Sequence, residues 1–490
     1  MTDAAEFGRV VLIVAVGFAV AILSSRITAR WRIPTPALFL AAATVSSDVI
    51  PEWAPLLTIR DVERTCLVAL IVILFDGGMD IGLRRFRRSL WPIVALGVPG
   101  TFAVAGLLAV FVHAALGLGW TASLLIGAAV APTDPAVMFS VLGGREVAGR
   151  SDVILKGESG VNDPVGIALV IGLLAIAADE HTKGDIAAHF AVEMVVGVLV
   201  GVLGGLALAR VMRKLTLPDS ALYPLMTLAG AGIIYGLASV LDGSGFLAVF
   251  LAGVTIADVR APYKAEIEHF HTALASLAEI VVFVALGLTI DLGTLSLENV
   301  WLDGLVIAIL LTFLVRPLIV AALLWFVDLT RGEKVFIAWA GLRGAVPILL
   351  AAFTLLEGVD HAHRIYGIVF VVVMFSVIVQ GTLMPTVAAR AGLDMHLVEP
   401  EPWDLAVRVR DEPEEIERYV VADGAPAAGV PLRDLDLGRR AWISLVIREG
   451  AARQARGSTV LQPGDEVLVL GAGRSAQAMF EGGGADGSDG

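Results

Sequence analysis

The sequence predicts an all-α polytopic membrane protein of about thirteen transmembrane helices, followed by a small α/β domain. Three observations carry that expectation. Mean hydropathy is +0.82, with 57% hydrophobic and only 17% charged residues, where soluble domains carry roughly a quarter charged residues. Hydrophobic runs long enough to span a bilayer recur along the chain, and the Lys and Arg residues between them fall almost entirely in alternate loops. After Arg390 the composition turns polar and acidic.

The runs lie near 8–25, 35–50, 63–83, 91–113, 119–141, 152–178, 186–209, 220–240, 244–257, 268–290, 300–327, 334–356 and 364–390. The second and ninth are short for a span, so the count is open by one. The N-terminal residues Met1 to Glu6 include no basic stretch and no small-residue cleavage site, so the first run reads as a span rather than a signal peptide. Alternate loops hold Arg26, Arg30 and Arg32; Arg84, Arg85, Arg87 and Arg88; Arg145 and Arg150; Arg210, Arg213 and Lys214; Arg260 and Lys264; Arg331 and Lys334. The opposite loops hold only Arg60, Arg64, Lys183 and Arg364. Positive charge marks the cytoplasmic side, which predicts a multi-pass protein of the cytoplasmic membrane with its N-terminus outside and its acidic tail inside.

Two spans are broken. The fifth contains Ala131-Pro132-Thr133-Asp134-Pro135 and the twelfth Gly341-Leu342-Arg343-Gly344-Ala345-Val346-Pro347. Proline and glycine there free backbone carbonyls, which is tolerable only where protein or a water-filled cavity covers them. The breaks lie about 210 residues apart, near half the membrane portion. Paired broken helices in two halves point to inverted repeats with a binding site near the midplane.

Within the sixth run, Gly157-Glu158-Ser159-Gly160-Val161-Asn162-Asp163-Pro164 places two carboxylates and an amide in apolar surroundings. A charge at bilayer depth costs ~2.5–3.5 kcal/mol or more and marks an ion or proton path. Glu158 and Asn162 share a helix face, with Ser159 and Asp163 one step round. Two acids in one low-dielectric bundle with Arg343 at the twelfth-span break suggest that one acid is neutralised and the other left to exchange a proton for a cation. Glu158, the longer arm, is the expected strut for Arg343, and Asp163 the expected exchanger. Asn162, Ser159 and Thr133 add neutral oxygens that suit a monovalent cation; a divalent ion wants more charge and more oxygens. Asp134 either caps a half-helix or lines the access path.

Thr133-Asp134-Pro135, Glu158-Ser159 with Asn162-Asp163, and Gly341-Leu342-Arg343 through Pro347 together resemble the monovalent cation:proton antiporter-1 family of NhaP-type exchangers. Gly243 to Gly253, and Glu279 with Phe283 and Leu286-Gly287, fit the same pattern, over about residues 5–395. The resemblance implies thirteen helices in the NhaA/NhaP-like antiporter fold, a dimerisation domain, a mobile core and elevator-like alternating access. It implies that Asp163 binds cation or proton, that Thr133, Ser159 and Glu158 help form the site, and that Glu158 pairs with Arg343. Asn162 before Asp163 implies electroneutral exchange of one proton per cation. The region Leu74-Phe75-Asp76-Gly77-Gly78-Met79 also looks family-like, with Asp76 read as structural beside packing glycines. Glu279 reads as a polar strut, Arg316 either steers cations or braces a core acid, and His269 and His271 read as surface residues rather than a pH sensor.

The transmembrane domain is thus expected over 1–395, an acidic linker over 396–414, a regulatory domain over 415–480 and a disordered tail over 481–490. From Glu399 onward 17 acidic residues stand against 10 basic ones, a net of −7 out of −13 for the chain. β-like runs at Glu417–Val421, Ala441–Arg448 and Glu466–Leu470 alternate with turns at Asp423-Gly424 and Gln462 to Asp465. The segments Gly429 to Leu435, Ile443 to Arg448 and Gly457 to Leu470 resemble a TrkA-C (RCK C-terminal) module. That resemblance implies regulation of potassium transport and, in some members, a small-nucleotide ligand, and it shifts the expected cation from Na+ to K+.

No basic patch suits nucleic acid, and Cys66 alone rules out a disulfide framework or thiolate metal site. No cofactor is expected. The readings in competition are a K+/H+ antiporter acting as a homodimer, a Na+(Li+)/H+ antiporter, and a K+ channel, which lacks a TVGYG-like filter. No nucleophile–base set suggests an enzyme.

Overall fold

The computed structural model describes residues 8, 34–49, 58–134, 137–138, 145–147, 150–178, 183–295, 299–393, 395–397, 416–435, 442–448, 451–470 and 479–480. The chain divides into two compact units, Met1–Glu399 and Pro400–Gly490. Apart from residue 8 and residues 396–397, the first expected span and the acidic linker lie outside the described residues, as does the 481–490 tail.

The first unit is helical: α1 (Thr35–Val49), α2 (Ile59–Ile81), α3 (Leu90–Leu116), α4 (Trp120–Ala129), α5 (Ser151–Ala177), α6 (Lys183–Lys214), α7 (Leu222–Val240), α8 (Gly245–Ala257), α9 (Lys264–Leu288), α10 (Val300–Leu323), α11 (Arg331–Trp339), α12 (Ala345–Leu356) and α13 (Ala362–Arg390). Among the described residues seven helices are long and apolar enough to cross a membrane, and α4, α8 and α12 are shorter apolar ones. Each expected span from the second onward contains a helix, and both expected breaks are real. α4 stops at Ala129, and the twelfth span divides into α11 and α12 around Ala340–Gly344. A strand pair, Arg145–Val147 (β1) with Met395–Leu397 (β2), joins the segment before α5 to the end of this unit.

Three long helices contain a π turn: Leu96–Gly100 in α3, Leu311–Val315 in α10 and Ser376–Gly381 in α13. The first includes Pro99 and the second is followed by Pro317, whose missing N–H cannot continue the α ladder.

α2 packs between α8 and α9. Gly78 on α2 and Gly253 on α8 let the two backbones meet: a Cβ on Gly78 would lie 2.9 Å from the Val254 nitrogen, and one on Gly253 would lie 3.1 Å from the Met79 nitrogen. Small residues at such crossings hold membrane helices together by close packing. Gly78→Val is expected to lower the thermal unfolding midpoint in detergent, with an overpacking cost of about 1–3 kcal/mol. Gly106→Ala on α3, with open space around it, is expected to gain about 0.5–1 kcal/mol from helix propensity.

The second unit is an antiparallel sheet of order β3-β6-β4-β5: Ile416–Val420 (β3), Trp442–Arg448 (β4), Ala451–Gln454 (β5) and Glu466–Leu470 (β6). The three β-like runs of the sequence are strands, and β5 is an addition. Tyr419, Val446, Leu461, Val467 and Phe480 form its core. Both expected turns occur, with Gly424 at φ +79 and Gly464 at φ +85, the left-handed region that glycine enters without strain. The buried Asp465 accepts from Arg448 Nε and Nη2, each at 2.7 Å, and from the Gln462 N–H at 2.7 Å, which fixes the second turn.

Candidate functional site

The two broken segments meet. The Asp134 N–H donates to the Leu342 carbonyl at 2.7 Å, tying the end of the α4 break to the α11–α12 break. Arg343, 1% exposed, turns its guanidinium onto the backbone there. Its Nε donates to the Val130 carbonyl at 3.0 Å and its Nη1 to the Gly341 carbonyl. Its own N–H donates to Ser376 Oγ at 2.9 Å. A cation fits this place because the carbonyl ends of α4 and α11 carry the negative ends of two helix dipoles. Asp134 stands at the opposite pole: a Cβ on Gly344, just before α12, would overlap its carboxylate. The positive N-terminal end of α12 favours that negative charge.

The ion pair of the core differs from expectation. Glu158, 1% exposed, is held by Arg316 on α10, not by Arg343. The contact is bidentate, Arg316 Nη2 to Glu158 Oε2 at 2.7 Å and Nη1 to Oε1. The physical reason lies in the breaks. Carbonyls freed by the interrupted helices engage Arg343, whereas Arg316 faces Glu158 from the helical segment that follows a π turn. Of the two open readings of Arg316, it braces a core acid.

The amide of Asn162 also faces backbone and side chain rather than open space. Its Nδ2 donates to Thr133 Oγ1 at 2.8 Å, and its Oδ1 accepts from the Thr133 N–H at 3.4 Å. The pair clips the unwound segment to α5. Thr133 and Asn162 therefore sit beside the cavity described next without lining it.

That cavity, about 420 Å³, is lined by Asp163, Ser159 and Asp134 together with Asp76, Glu279 and Thr272. Ser159 and Asp163 are one helical turn apart on α5, which sets both on one wall. Asp163 is buried at 4% exposure, and its Oδ1 has no hydrogen-bond partner among the described residues. Glu279 shares this property at Oε1, so the strut expected of it has no partner there. Asp76 accepts from Thr272 Oγ1 at 3.1 Å and faces the cavity as well as the helix contact.

Two further charged residues of the wall, Lys156 and Asp80, escaped sequence reasoning. Lys156, two helical turns before Asp163 on α5, bonds Asp80 at 2.5 Å and Asp152 at 3.2 Å. A lysine inside an apolar run, four residues after an aspartate, was the available signal. His271 is buried rather than at the surface, with Nε2 2.8 Å from Thr227 Oγ1 and its ring edge-on to Phe75.

The model of the sodium/hydrogen exchanger transmembrane family matches residues 11–390. The chain belongs to the sodium/hydrogen exchanger family. The TrkA-C domain model matches residues 416–481. The chain is 32% identical to the K(+)/H(+) antiporter NhaP2 of Shewanella oneidensis, over 97% of this chain and 83% of that protein. It is 33% identical to the K(+)/H(+) antiporter NhaP of Alkalimonas amylolytica, over 94% of this chain and 80% of that one. The Na(+)/H(+) antiporter ApNhaP of Aphanothece halophytica is 26% identical over 66% of the chain. The structure of the sodium proton antiporter MjNhaP1 from Methanocaldococcus jannaschii superposes with TM-score 0.65, at 23% identity, covering 79% of this chain and 99% of that one. At that identity the likeness speaks for the fold alone.

Proposed function

We propose that this exchanger moves a monovalent cation, K+ first, against H+ across the cytoplasmic membrane, with both competing for Asp163. One observation carries the proposal: among the buried groups around the broken helices, Asp163 places a carboxylate oxygen with no hydrogen-bond partner among the described residues on a cavity wall. Apart from Glu279, which lies on α9 rather than on a broken segment, the neighbouring charges are matched. Arg316 answers Glu158, the helix carbonyl ends answer Arg343, and the α12 N-terminus answers Asp134. A bare carboxylate at this depth is costly, so Asp163 takes either a proton or a cation. Ser159 Oγ and the Asp134 carboxylate supply further oxygen ligands. Thr133 and Asn162 hold the unwound segment that carries Asp134 in place.

One carboxyl alternating between one proton and one cation makes the cycle electroneutral. K+ is favoured over Na+ because the relatives matched over nearly the whole chain are K(+)/H(+) antiporters and because a TrkA-C module follows the membrane unit. The alternation of loop charge supports an N-terminus outside and a C-terminal module in the cytoplasm, where it regulates exchange, with a small nucleotide as a candidate ligand. The working unit is a homodimer.

Cation-induced dissipation of a pH gradient in everted membrane vesicles tests the substrate. The expected result is a response to K+ at lower concentration than to Na+ or Li+; a response to Na+ and Li+ alone replaces K+ as the cargo. Exchange is expected to be indifferent to an imposed membrane potential, and a current under a neutral gradient would contradict one-for-one stoichiometry. Removal of residues 400–490 is expected to leave basal exchange in place; its abolition would count against a regulatory tail.

A further inference from the structure

Between α10, α11 and the last turns of α13 lies a second cavity, about 580 Å³, that the exchange pathway does not use. Its walls are apolar: Phe313 and Pro317 on α10, Val335 and Trp339 on α11, Val387 on α13. Phe313 and Val335 are 61% and 57% exposed, so the groove opens sideways out of the helix bundle. Charge gathers at one end only. Arg331 and Arg390 close it there, both exposed and neither bonded to a described residue, while the inner end is formed by Thr312 and Trp339.

We propose that this groove binds an anionic phospholipid of the cytoplasmic leaflet, its phosphate between Arg331 and Arg390 and an acyl chain along Phe313, Val335 and Trp339. The dimensions agree with a single leaflet. From Arg331 to Trp339 the helix rises about 12 Å, close to half of a hydrocarbon core ~30 Å thick. The electrostatics select an anion. Arg331 opens α11, the positive end of the helix, where a second positive charge is unfavourable and a phosphate relieves both. Loop charge assigns this end to the cytoplasmic face, where anionic lipids and basic side chains meet.

The inner end of the groove adjoins the network that positions Arg343. Trp339 Nε1 donates to the Gln380 carbonyl at 3.1 Å, and Gln380 Nε2 donates back to the Trp339 carbonyl at 2.5 Å. Ser376 Oγ donates to Gln380 Oε1 at 2.9 Å and accepts from the Arg343 N–H at 2.9 Å. A lipid chain against Trp339 therefore touches the scaffold of the α11–α12 break without entering the ion path.

Native mass spectrometry of the full-length protein, with equal phosphatidylglycerol and phosphatidylcholine in the micelle, tests the site. Wild type is expected to retain phosphatidylglycerol preferentially. Arg331→Gln with Arg390→Gln is expected to cut that preference roughly thirtyfold, from about 1 kcal/mol per basic side chain at a membrane surface. Val335→Trp fills the groove, keeps both guanidiniums and is expected to lower retention as well. Equal retention of the two lipids by wild type, or an undiminished preference in the double variant, overturns the proposal.

Discussion

Asp163→Asn is expected to abolish cation-driven proton movement, reducing it to the level of vesicles without the exchanger, while the protein stays folded. Asn keeps the shape and one oxygen of the side chain but cannot trade a proton for a cation. Nothing structural is lost with the charge, because Asp163 Oδ1 supports no hydrogen bond among the described residues. The thermal midpoint of the variant is therefore expected to equal or exceed that of wild type, since it removes an acid buried at a cost. Exchange at the wild-type rate in Asp163→Asn vesicles would remove the residue from the mechanism. A collapse in stability would show that Asp163 is a strut.

Glu158 and Arg316 behave in the opposite way. Each is almost fully buried and each answers the other's charge in a bidentate contact. Glu158→Gln leaves a guanidinium uncompensated, and Arg316→Met leaves a carboxylate so; either is expected to cost about 3–5 kcal/mol of stability. Joining the two restores most of that loss, because a neutral pair of similar volume leaves no isolated charge. The coupling measured in this double-mutant cycle is expected to exceed that between Glu158→Gln and Arg343→Gln. A larger coupling with Arg343 would reinstate the pairing that the sequence motif suggests. Thermal midpoints of the purified variants in one detergent suffice to compare the two cycles.

The contrast between the two arginines shows where sequence reading stops. Hydropathy and loop charge located the helices, and proline with glycine located both breaks, because each is a local cost that only a particular backbone can bear. The buried acid of the cavity was legible for the same reason: a carboxylate such as Asp163 is expensive in lipid, and it lies at 4% exposure on the cavity wall. The partner of Glu158 was not legible. The π turn at Leu311–Val315 adds a residue to one turn and rotates everything beyond it, so a regular helical wheel misplaces Arg316. Arg343 looked like the natural partner because nothing in the motif shows that the carbonyls of Val130 and Gly341 engage it. Asp76 was half legible. Gly78, two residues on, does mediate the α2–α8 contact, yet the carboxylate turns into the cavity wall. Asn162 and Thr133 were placed correctly along the chain but engage each other, a tertiary pairing that spacing alone does not reveal.

Competition at one carboxyl has a direct kinetic signature. In proteoliposomes containing the purified exchanger, the apparent KM for K+ on one face is measured as the pH of that same face is lowered. If proton and cation exclude each other at Asp163, the KM rises about tenfold per pH unit on the acid limb, one proton opposing one cation, while the maximal rate is unchanged. A maximal rate that falls with acidification at constant KM would mean that proton and cation occupy the exchanger together, and would contradict the shared site.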